Sequence, residues 1–443
     1  MPSRSPLPSP SAGTTAAPST FPAGARPPAG PHLLDVSMFW GPTGGVRRVL
    51  TTRHERLPAL GWRHSVIAPG ATGPGLVDCG GLPLPRSGGY RLVVSRGRAL
   101  RKMQALAPDI IESADPYTLG WACLAAAERL HVPAVAFCHS NLPELMARLA
   151  GGRRGAATGR GRVAEAGARR YLVALYRHFD LVLAPSHGMA QQLTAWGVPR
   201  VAVQPLGVDC AVFRPGARDG AWRARLCREL GLSPATRLLV YSGRFAPEKN
   251  LQLLADAVER LGPGHALLIV GDGPAPPRGA RVHRLPPEHD PRRLARVVAS
   301  CDAYVHAGDQ ETFGLGLLEA MACGTPVVAP ACGGLAELAR GAGLLVDRPE
   351  PGRWAEAMRA TLEGPAPALR RTALARAQAQ DWPRVLAQMT QRYADLIGLI
   401  GLSGRSGLSG ASGLHHQHAA PFASAAPAQA ATSWAPAPLA RIR

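Results

Sequence analysis

The sequence predicts an α/β protein of two consecutive doubly wound, Rossmann-like units facing a central cleft. Three observations predict it. A chain of 443 residues is longer than one hydrophobic core ordinarily serves. From Leu33 onward, short β-type runs alternate with stretches of helical periodicity, the pattern of a parallel sheet covered by helices on both faces. The alternation breaks around residues 213–215 and then restarts. In such a fold the ligand is expected at the carboxyl ends of the strands.

The first unit opens on LLDVSMFW (33–40), which reads as a buried strand. The glycine turn GPTGG follows, and then a helix carrying Val46, Val49, Leu50, Leu57 and Leu60 on one face. Further strands are expected at HSVIAP (64–69), DIIES (109–113), PAVAF (133–137), DLVLAPS (180–186) and VAVQPL (201–206). In the second unit the strands or strand ends are RLLVYSG (237–243), HALLIVGDG (265–273), ARVHRL (280–285), DAYVHAG (302–308) and TPVVAP (325–330). Helices are expected between them at LQLLADAVERLG (251–262), PRRLARVVASC (291–301) and GLLEAMACG (316–324). DWPRVLAQMTQRYADLI (381–397) reads as a last helix. These limits define a first domain over 32–212 and a second over 213–380. Residues 1–31 and 399–443 read as disordered Ala/Pro/Ser/Gly-rich tails, too poor in apolar surface to fold.

A formal charge of +20 would ordinarily suggest an anionic partner such as nucleic acid or a membrane surface. Nearly all of it is arginine, however, since Lys102 and Lys249 are the only lysines, and heavy Ala, Gly and Pro usage points to a GC-rich coding sequence. With no zinc finger, RNA-binding signature or Arg-rich aromatic stripe, nucleic acid is not expected as a partner. The eight cysteines are scattered singly, which fits reduced thiols in a cytoplasmic protein. The first residues lack the apolar stretch of a secretory signal, and no run approaches the ~20 apolar residues of a membrane span.

The chemistry is concentrated in ETFGLGLLEAMACGTPVV (311–328). On one continuous helix Glu311 and Glu319 would stand ~12 Å apart, too far to grip the same hydroxyl. A helix starting near Gly314 places Glu311 in the preceding loop and Glu319 on the second turn. The amides of Phe313, Gly314 and Leu315 then face a phosphate, which the helix dipole favours. A helix with one Glu in its first turn and another on its wet face accounts for the same residues. Arg244 and Lys249 follow a buried strand and suit a diphosphate, the first as a bidentate fork and the second as a compact charge. Two solvated cations are the bland alternative, although a lysine kept in so Arg-rich a chain suggests a site where guanidinium fits badly. His139 follows a strand end and is expected to face the cleft, although a lone histidine there is more often a satisfied structural residue; the Gly44–Gly45 turn either lets backbone amides approach a phosphate or is an ordinary strand-to-helix turn. Arg47 and Arg48 are expected near acceptor or phosphate. Glu112 and Asp115 either shape an acceptor pocket or, for Asp115, cap a helix.

The 311–328 segment resembles the E-x7-E motif of family 4 retaining glycosyltransferases. YSGRFAPEKNL (241–251) resembles that family's phosphate-binding strand and loop, and LLIVGDGP (267–274) its next strand. PLGVDCAVFRP (205–215) resembles the interdomain link, GPTGGVRR (41–48) the N-terminal glycine loop, and DWPRV (381–385) the start of a helix that crosses back onto the first domain. The motifs keep the family's order over roughly residues 33–398. The resemblance implies the GT-B fold, with 381–398 returning to the first domain, and transfer of a hexose from a nucleotide diphosphate sugar with retention. It implies that His139 and Glu311 position the sugar and Glu319 the ribose. HAGDQETFGL is most similar to users of GDP-mannose, so mannose is the first expectation and a UDP-hexose the second. No D-x-D occurs, so neither metal nor cofactor is expected, and fixed cations and amides must stabilise the leaving diphosphate. The acceptor is expected to be a lipid or glycan. An epimerase or phosphorylase on the same fold, and a non-catalytic membrane-associated binding protein, are the competing readings.

Between residues 148 and 177 lie eight arginines (148, 153, 154, 160, 162, 169, 170 and 177) against one acid, Glu165. The Gly-rich first half reads as a mobile loop and residues 163–176 as a helix. Two readings stand side by side: a segment resting on the inner face of an anionic cytoplasmic membrane, and a solvated loop of an Arg-rich protein.

Overall fold

The structure, a computed structural model, describes residues 30–41, 44–84, 89–364 and 367–406. The two expected tails, except residues 30–31 and 399–406, lie outside the described residues, as do Pro42 and Thr43 of the glycine turn. By its contacts the chain separates into Met1–Ile400, which carries both sheets, and Gly401–Arg443.

The first sheet contains β1 (His32–Val36), β2 (Arg63–Ala68), β3 (Leu76–Asp78), β6 (Ile110–Ser113), β7 (Ala134–Phe137), β8 (Leu181–Ala184) and β9 (Val201–Val203), and a small hairpin, β4 (Leu82–Pro83) with β5 (Arg91–Leu92), stands beside it. The order β3-β2-β1-β6-β7-β8-β9 is parallel throughout. The second sheet, also all parallel, takes β10 (Arg237–Ser242), β11 (His265–Val270), β12 (Val282–Leu285), β13 (Ala303–Val305), β14 (Val327–Pro330) and β15 (Leu344–Val346) in the order β12-β11-β10-β13-β14-β15. Every residue of β1 is buried, as a strand covered on both faces requires.

The connecting helices of the first domain are α1 (Gly45–Arg56), α2 (Arg96–Leu106), α3 (Thr118–Leu130), α4 (Leu142–Gly151), α5 (Gly159–Tyr176) and α6 (His187–Ala195). Those that follow are α7 (Gly220–Glu229), α8 (Leu251–Leu261), α9 (Pro291–Ser300), α10 (Leu315–Ala322), α11 (Gly333–Ala339), α12 (Pro351–Glu363), α13 (Pro367–Ala379) and α14 (Trp382–Ser406). In α8, Leu251, Leu254, Ala255, Val258 and Leu261 recur at helical spacing and are all buried. Side chains of Asn141, Thr158, Ser186, Asp219 and Asp290 accept first-turn amides and so start α4, α5, α6, α7 and α9.

Several expectations change. The first strand stops at Val36 rather than running to residue 40, because Asp115 draws the Met38 amide (2.6 Å) into the loop beyond the sheet. Strands β3 and β15, at the edges of their sheets, add to those expected. The last helix passes residue 398 and reaches Ser406, since Gly398 costs a helix only about 1 kcal/mol. The Gly-rich stretch read as a mobile loop is the end of α4 and a 3₁₀ turn over Gly152–Ala157, and α5 begins at Gly159.

Two crossings join the domains side by side. Val208 exchanges backbone hydrogen bonds with Gln380 and Trp382 (2.9 and 3.0 Å), and a Cβ on Gly207 would strike the Trp382 ring at 2.5 Å. One buried hydrophobic cluster runs from Leu33 and Val49 through Val208 and Phe213 to Leu238 and Tyr393.

Beneath the first sheet's crossover lies a fully buried charge group. Arg53 of α1 donates to Asp35 of β1 (3.2 Å) and to Glu112 of β6 (2.6 Å). Tyr393 of α14 donates to the other Glu112 oxygen, and His64 of β2 bonds Asp35 at 2.9 Å. Burial by itself opposes the Arg53 charge, but the two carboxylates hold its pKa above the ordinary guanidinium range. Replacing Arg53 by Met should destabilise the protein by about 3–5 kcal/mol in chemical denaturation, because two carboxylates would stay buried without their cation. A loss below about 1 kcal/mol would show that this cluster does not hold the first domain together.

Candidate active site

Each sheet reverses its strand order once, between β1 and β6 in the first domain and between β10 and β13 in the second. The carboxyl ends of these strands are where a doubly wound fold leaves a crevice. The loops leaving β10 and β13 carry Arg244, Lys249 and Glu311, and the loops leaving β1 and β7 carry Gly44, Gly45 and His139.

In the second domain, Lys249 and Glu311 form a direct, largely buried ion pair. His306, at the end of β13, approaches the same carboxylate through Nε2 (3.3 Å), while its Nδ1 accepts the Gly308 amide at 3.0 Å. Burial alone would raise the Glu311 pKa, but Lys249 and His306 hold it well below the usual carboxylate range. Glu311 is therefore ionised at neutral pH and accepts only. Arg244 pairs with Glu248 at 2.6 Å and is the more exposed of the two loop cations.

The loop then turns into α10 at Gly314, whose φ of +106° favours glycine; a Cβ there would also lie 2.3 Å from Leu335 Cδ2. Glycine offers no side chain to cap α10, so its first amides, Leu315 and Gly316, stay available at the positive end of the helix. Helix α1 opens in the same way, on Gly44. A Cβ on Gly45 would lie 3.8 Å from Leu315 Cδ1, so the two glycine-capped N-termini meet across the cleft. Phe313 is buried just before them. Glu319, on the second turn of α10 and 2% exposed, is ion-paired to Arg48 from the first turn of α1.

His139 lies in the loop after β7, stacked on Phe137 with centroids 4.1 Å apart. Its carbonyl accepts the Thr312 hydroxyl at 2.8 Å, tying it to the loop of Glu311 across the domains. Burial, and then the charge of Arg53, lowers its pKa from 6.5 to about 3, so the ring is neutral. Its Nε2 is enclosed without a partner, as are Ser140 Oγ, Asp309 Oδ1 and Gln310 Nε2 on the facing loops. A buried polar atom left unpaired costs about 1–3 kcal/mol, so orphans gathered on two facing loops mark where a polar ligand would bond. Arg148 of α4 closes the other side on Asp309 Oδ2 at 2.7 Å.

Two residues leave the expected acceptor pocket. Glu112 is fully buried with Arg53 and Tyr393, because a residue inside β6 points into the helix layer rather than the cleft. Asp115 accepts the amides of Met38 (2.6 Å) and Tyr117 (3.3 Å) and joins the loops after β1 and β6. Burial raises its pKa to about 6. Arg47 bends back over the Trp40 ring. His306, Asp309, Gln310 and Thr312 join the site although the sequence marks none of them singly; all four stand in HAGDQETFGL, and their position just past a central strand is the available signal.

Residues 43–212 match a family profile described as Glycosyltransferase Family 4, and residues 236–364 one described as Glycosyl transferases group 1. A GDP-mannose-dependent alpha-(1-6)-phosphatidylinositol dimannoside mannosyltransferase of Mycobacterium tuberculosis is 30% identical over 381 residues, covering 81% of this chain and 94% of that protein. A GDP-mannose-dependent alpha-mannosyltransferase of the same species is 35% identical over 258 residues, 54% of this chain and 60% of the relative. Among solved structures, sucrose-phosphate synthase from Thermosynechococcus elongatus superposes with a TM-score of 0.67 at 21% identity, covering 83% of this chain and all of that one. Anabaena HepE in complex with UDP and glucose gives 0.65 at 20% identity, over 82% of this chain and all of the other. These two likenesses show the two-domain GT-B fold.

The neutral state of His139 has a consequence for acid stability. Its folded pKa of about 3 lies below the 6.5 of the free side chain, so unfolding takes up a proton at any pH between the two. The contribution is complete above about pH 6.5 and is lost as pH falls, by up to about 1.4 kcal/mol per pH unit. His139→Gln should flatten the fall of unfolding free energy between about pH 6 and pH 4 by that amount. Equal slopes in the two proteins would mean that the folded imidazole is protonated.

Proposed function

This chain belongs to glycosyltransferase family 4, and we propose on that premise that it moves a mannosyl residue from GDP-mannose to a lipid-linked or glycan acceptor, with retention and without a metal ion. The observation that carries the reading is the Lys249–Glu311–His306 cluster at the second sheet's switch point, beside two facing, glycine-capped helix N-termini. Ionised Glu311 accepts hydrogen bonds from sugar hydroxyls. Lys249, Arg244 and the α10 amides stabilise the charge that a diphosphate gains on leaving. Glu319 accepts from the ribose once Arg48 has moved aside. The names of the relatives support GDP-mannose over a UDP-hexose.

In the same-face reaction typical of the family, the anomeric bond to the phosphate oxygen breaks and the acceptor oxygen bonds on that same face. The acceptor proton passes to the departing phosphate oxygen, so no side-chain base is required. His139, neutral and with Nε2 free, holds a sugar hydroxyl rather than a charge. Fixed cations and amides take the place of a metal ion.

In calorimetry, Lys249→Ala and Arg244→Ala should each weaken GDP about tenfold or more while guanosine changes little, since a hydrogen bond to a charged group is worth about 1.5–3 kcal/mol. Glu319→Ala should weaken both ligands similarly, and EDTA should leave transfer intact. Equal losses for GDP and guanosine in the Lys249 variant would remove the phosphate role, and magnesium-restored activity after EDTA would contradict the metal-free reading.

The acceptor is the less constrained half of the proposal, and α4 with α5 bears on it. Leu149 and Val163 are 70% and 74% exposed, and Leu145, Met146 and Tyr171 are also exposed on these helices. Arg160, Arg170 and Tyr171 share the helical face of Val163. An apolar strip flanked by arginines suits the surface of an anionic bilayer, each basic residue adding about 1 kcal/mol. No helix among the described residues is long and apolar enough to cross a membrane. Cosedimentation with phosphatidylglycerol vesicles should weaken with salt and fall when Arg160, Arg162, Arg169 and Arg170 become Ser. Wild-type protein that ignores these vesicles at low salt would favour a water-soluble acceptor.

A further inference from the structure

Away from the cleft, a cavity of about 650 Å³ opens between the segment that enters the second domain and helix α9. Arg214 and Arg218 line it from the segment, and Arg292, Arg293 and Arg296 line it from α9. The one carboxylate in its lining is Asp219, which caps α7 by accepting the Trp222 amide at 2.9 Å and stands 3.9 Å from Arg296. Arg293 reaches Asp290 at 3.5 Å, whereas Arg214, Arg218 and Arg292 have no carboxylate partner among the described residues.

This arrangement works against the helix that carries it. Arg292 and Arg293 stand in the first turn of α9, at the positive end of the dipole, where the capping Asp290 already holds the Arg292 amide and the Arg293 side chain. Arg292 and Arg296 are one turn apart and repel each other. Arg296 Nε is enclosed and bonded to nothing. An anion in the cavity would offset the repulsion and give that N–H an acceptor. The volume falls within the range of small-ligand sites, and planar guanidinium forks select phosphoryl oxygens.

We propose that this cavity is a second anion site, which binds a free phosphorylated small molecule of the pyrophosphate or nucleotide class independently of the donor cleft. One wall is the chain that has just crossed between the domains. The other, α9, packs against the helix bearing Glu319, with Cys323 Sγ donating to the Ala295 carbonyl at 3.8 Å. An occupant would fasten the crossing to α9, which touches the C-terminal end of the helix bearing Glu319.

Calorimetry with sodium pyrophosphate tests this on the full chain in the Arg244→Ala/Lys249→Ala background, which removes the two cations assigned to the donor diphosphate. Pyrophosphate should still bind there, and adding Arg292→Ser/Arg296→Ser should weaken it at least tenfold. Arg214→Ser/Arg218→Ser, on the opposite wall, should do the same and covers the case in which the α9 variant unfolds early. Loss of all pyrophosphate binding in the cleft-deficient background, or binding that neither arginine pair weakens, overturns the proposal. Phosphatidylglycerol vesicles distinguish a lipid headgroup from a free anion. Vesicle binding that depends on Arg292 and Arg296 and that pyrophosphate fails to displace would assign the arginines to a membrane and also overturn it.

Discussion

The architecture of the first domain depends on one guanidinium. Arg53 bonds both Asp35 on β1 and Glu112 on β6, the two strands that flank the reversal of strand order. It also lies over the Phe137 ring, on which His139 stacks. The same residue belongs to α1, whose N-terminus is the glycine loop, and its partner Glu112 is bonded by Tyr393 from the returning helix. Three elements that meet at the cleft are thus referred to one buried charge. Buried ions of this kind persist only when fully paired, so the position of each partner is constrained by the others. The charge reaches the cleft as well, since it helps to keep the His139 ring neutral.

The two faces of the cleft divide their electrostatics. The second domain supplies the ionised elements, with Lys249 and His306 holding Glu311 as a carboxylate and Arg244 on the same loop. The first domain contributes the neutral imidazole of His139 and the unpaired Ser140 hydroxyl, with Arg148 reaching across to Asp309. A donor with a charged diphosphate and an uncharged sugar matches that division. The Arg48–Glu319 pair crosses it, because a basic first-turn residue of α1 lies on a buried carboxylate of α10. The position expected to contact a ribose is therefore occupied by a side chain in this structure, and under the proposed reading a donor would exchange one partner of Glu319 for another.

The domains are joined both covalently and by packing. The two crossings bond to each other at Val208 and Trp382, and close approach of Gly207 to the indole leaves room for no side chain. Thr312 with His139, Arg148 with Asp309, and Glu337 with the amides of His187 and Gly188 (both 2.9 Å) add polar contacts on the cleft side. Such contacts are local and exchangeable, whereas the hydrophobic cluster through Phe213 is continuous. Relative motion of the domains would therefore be expected to break the first set and bend around the second.

Much of this was legible in the order of residues. Buried parallel strands such as LLIV and VVAP announce themselves as apolar runs, helix α8 shows its period, and Gly314 between two glutamates signals a helix start at an unusual backbone angle. Arg244, Lys249 and Glu311 could be read as a group because strand–loop–helix order carries them to the carboxyl end of a sheet and the family resemblance assigns them to one ligand. The direction in which a side chain points at the end of a strand was not legible. Glu112 and Asp115 looked equally suited to an acceptor pocket, yet one is sealed among charges and the other spans two loops. His306 looked like part of a strand and proved to bond Glu311. The pairing of Arg48 with Glu319, and the cavity shared by Arg214 and Arg296, join residues remote in the chain. Local periodicity decides which segments become strands and helices. Which charges meet, and which are left without a partner, is decided by the packing of one domain against the other and by the low dielectric of the interior that results.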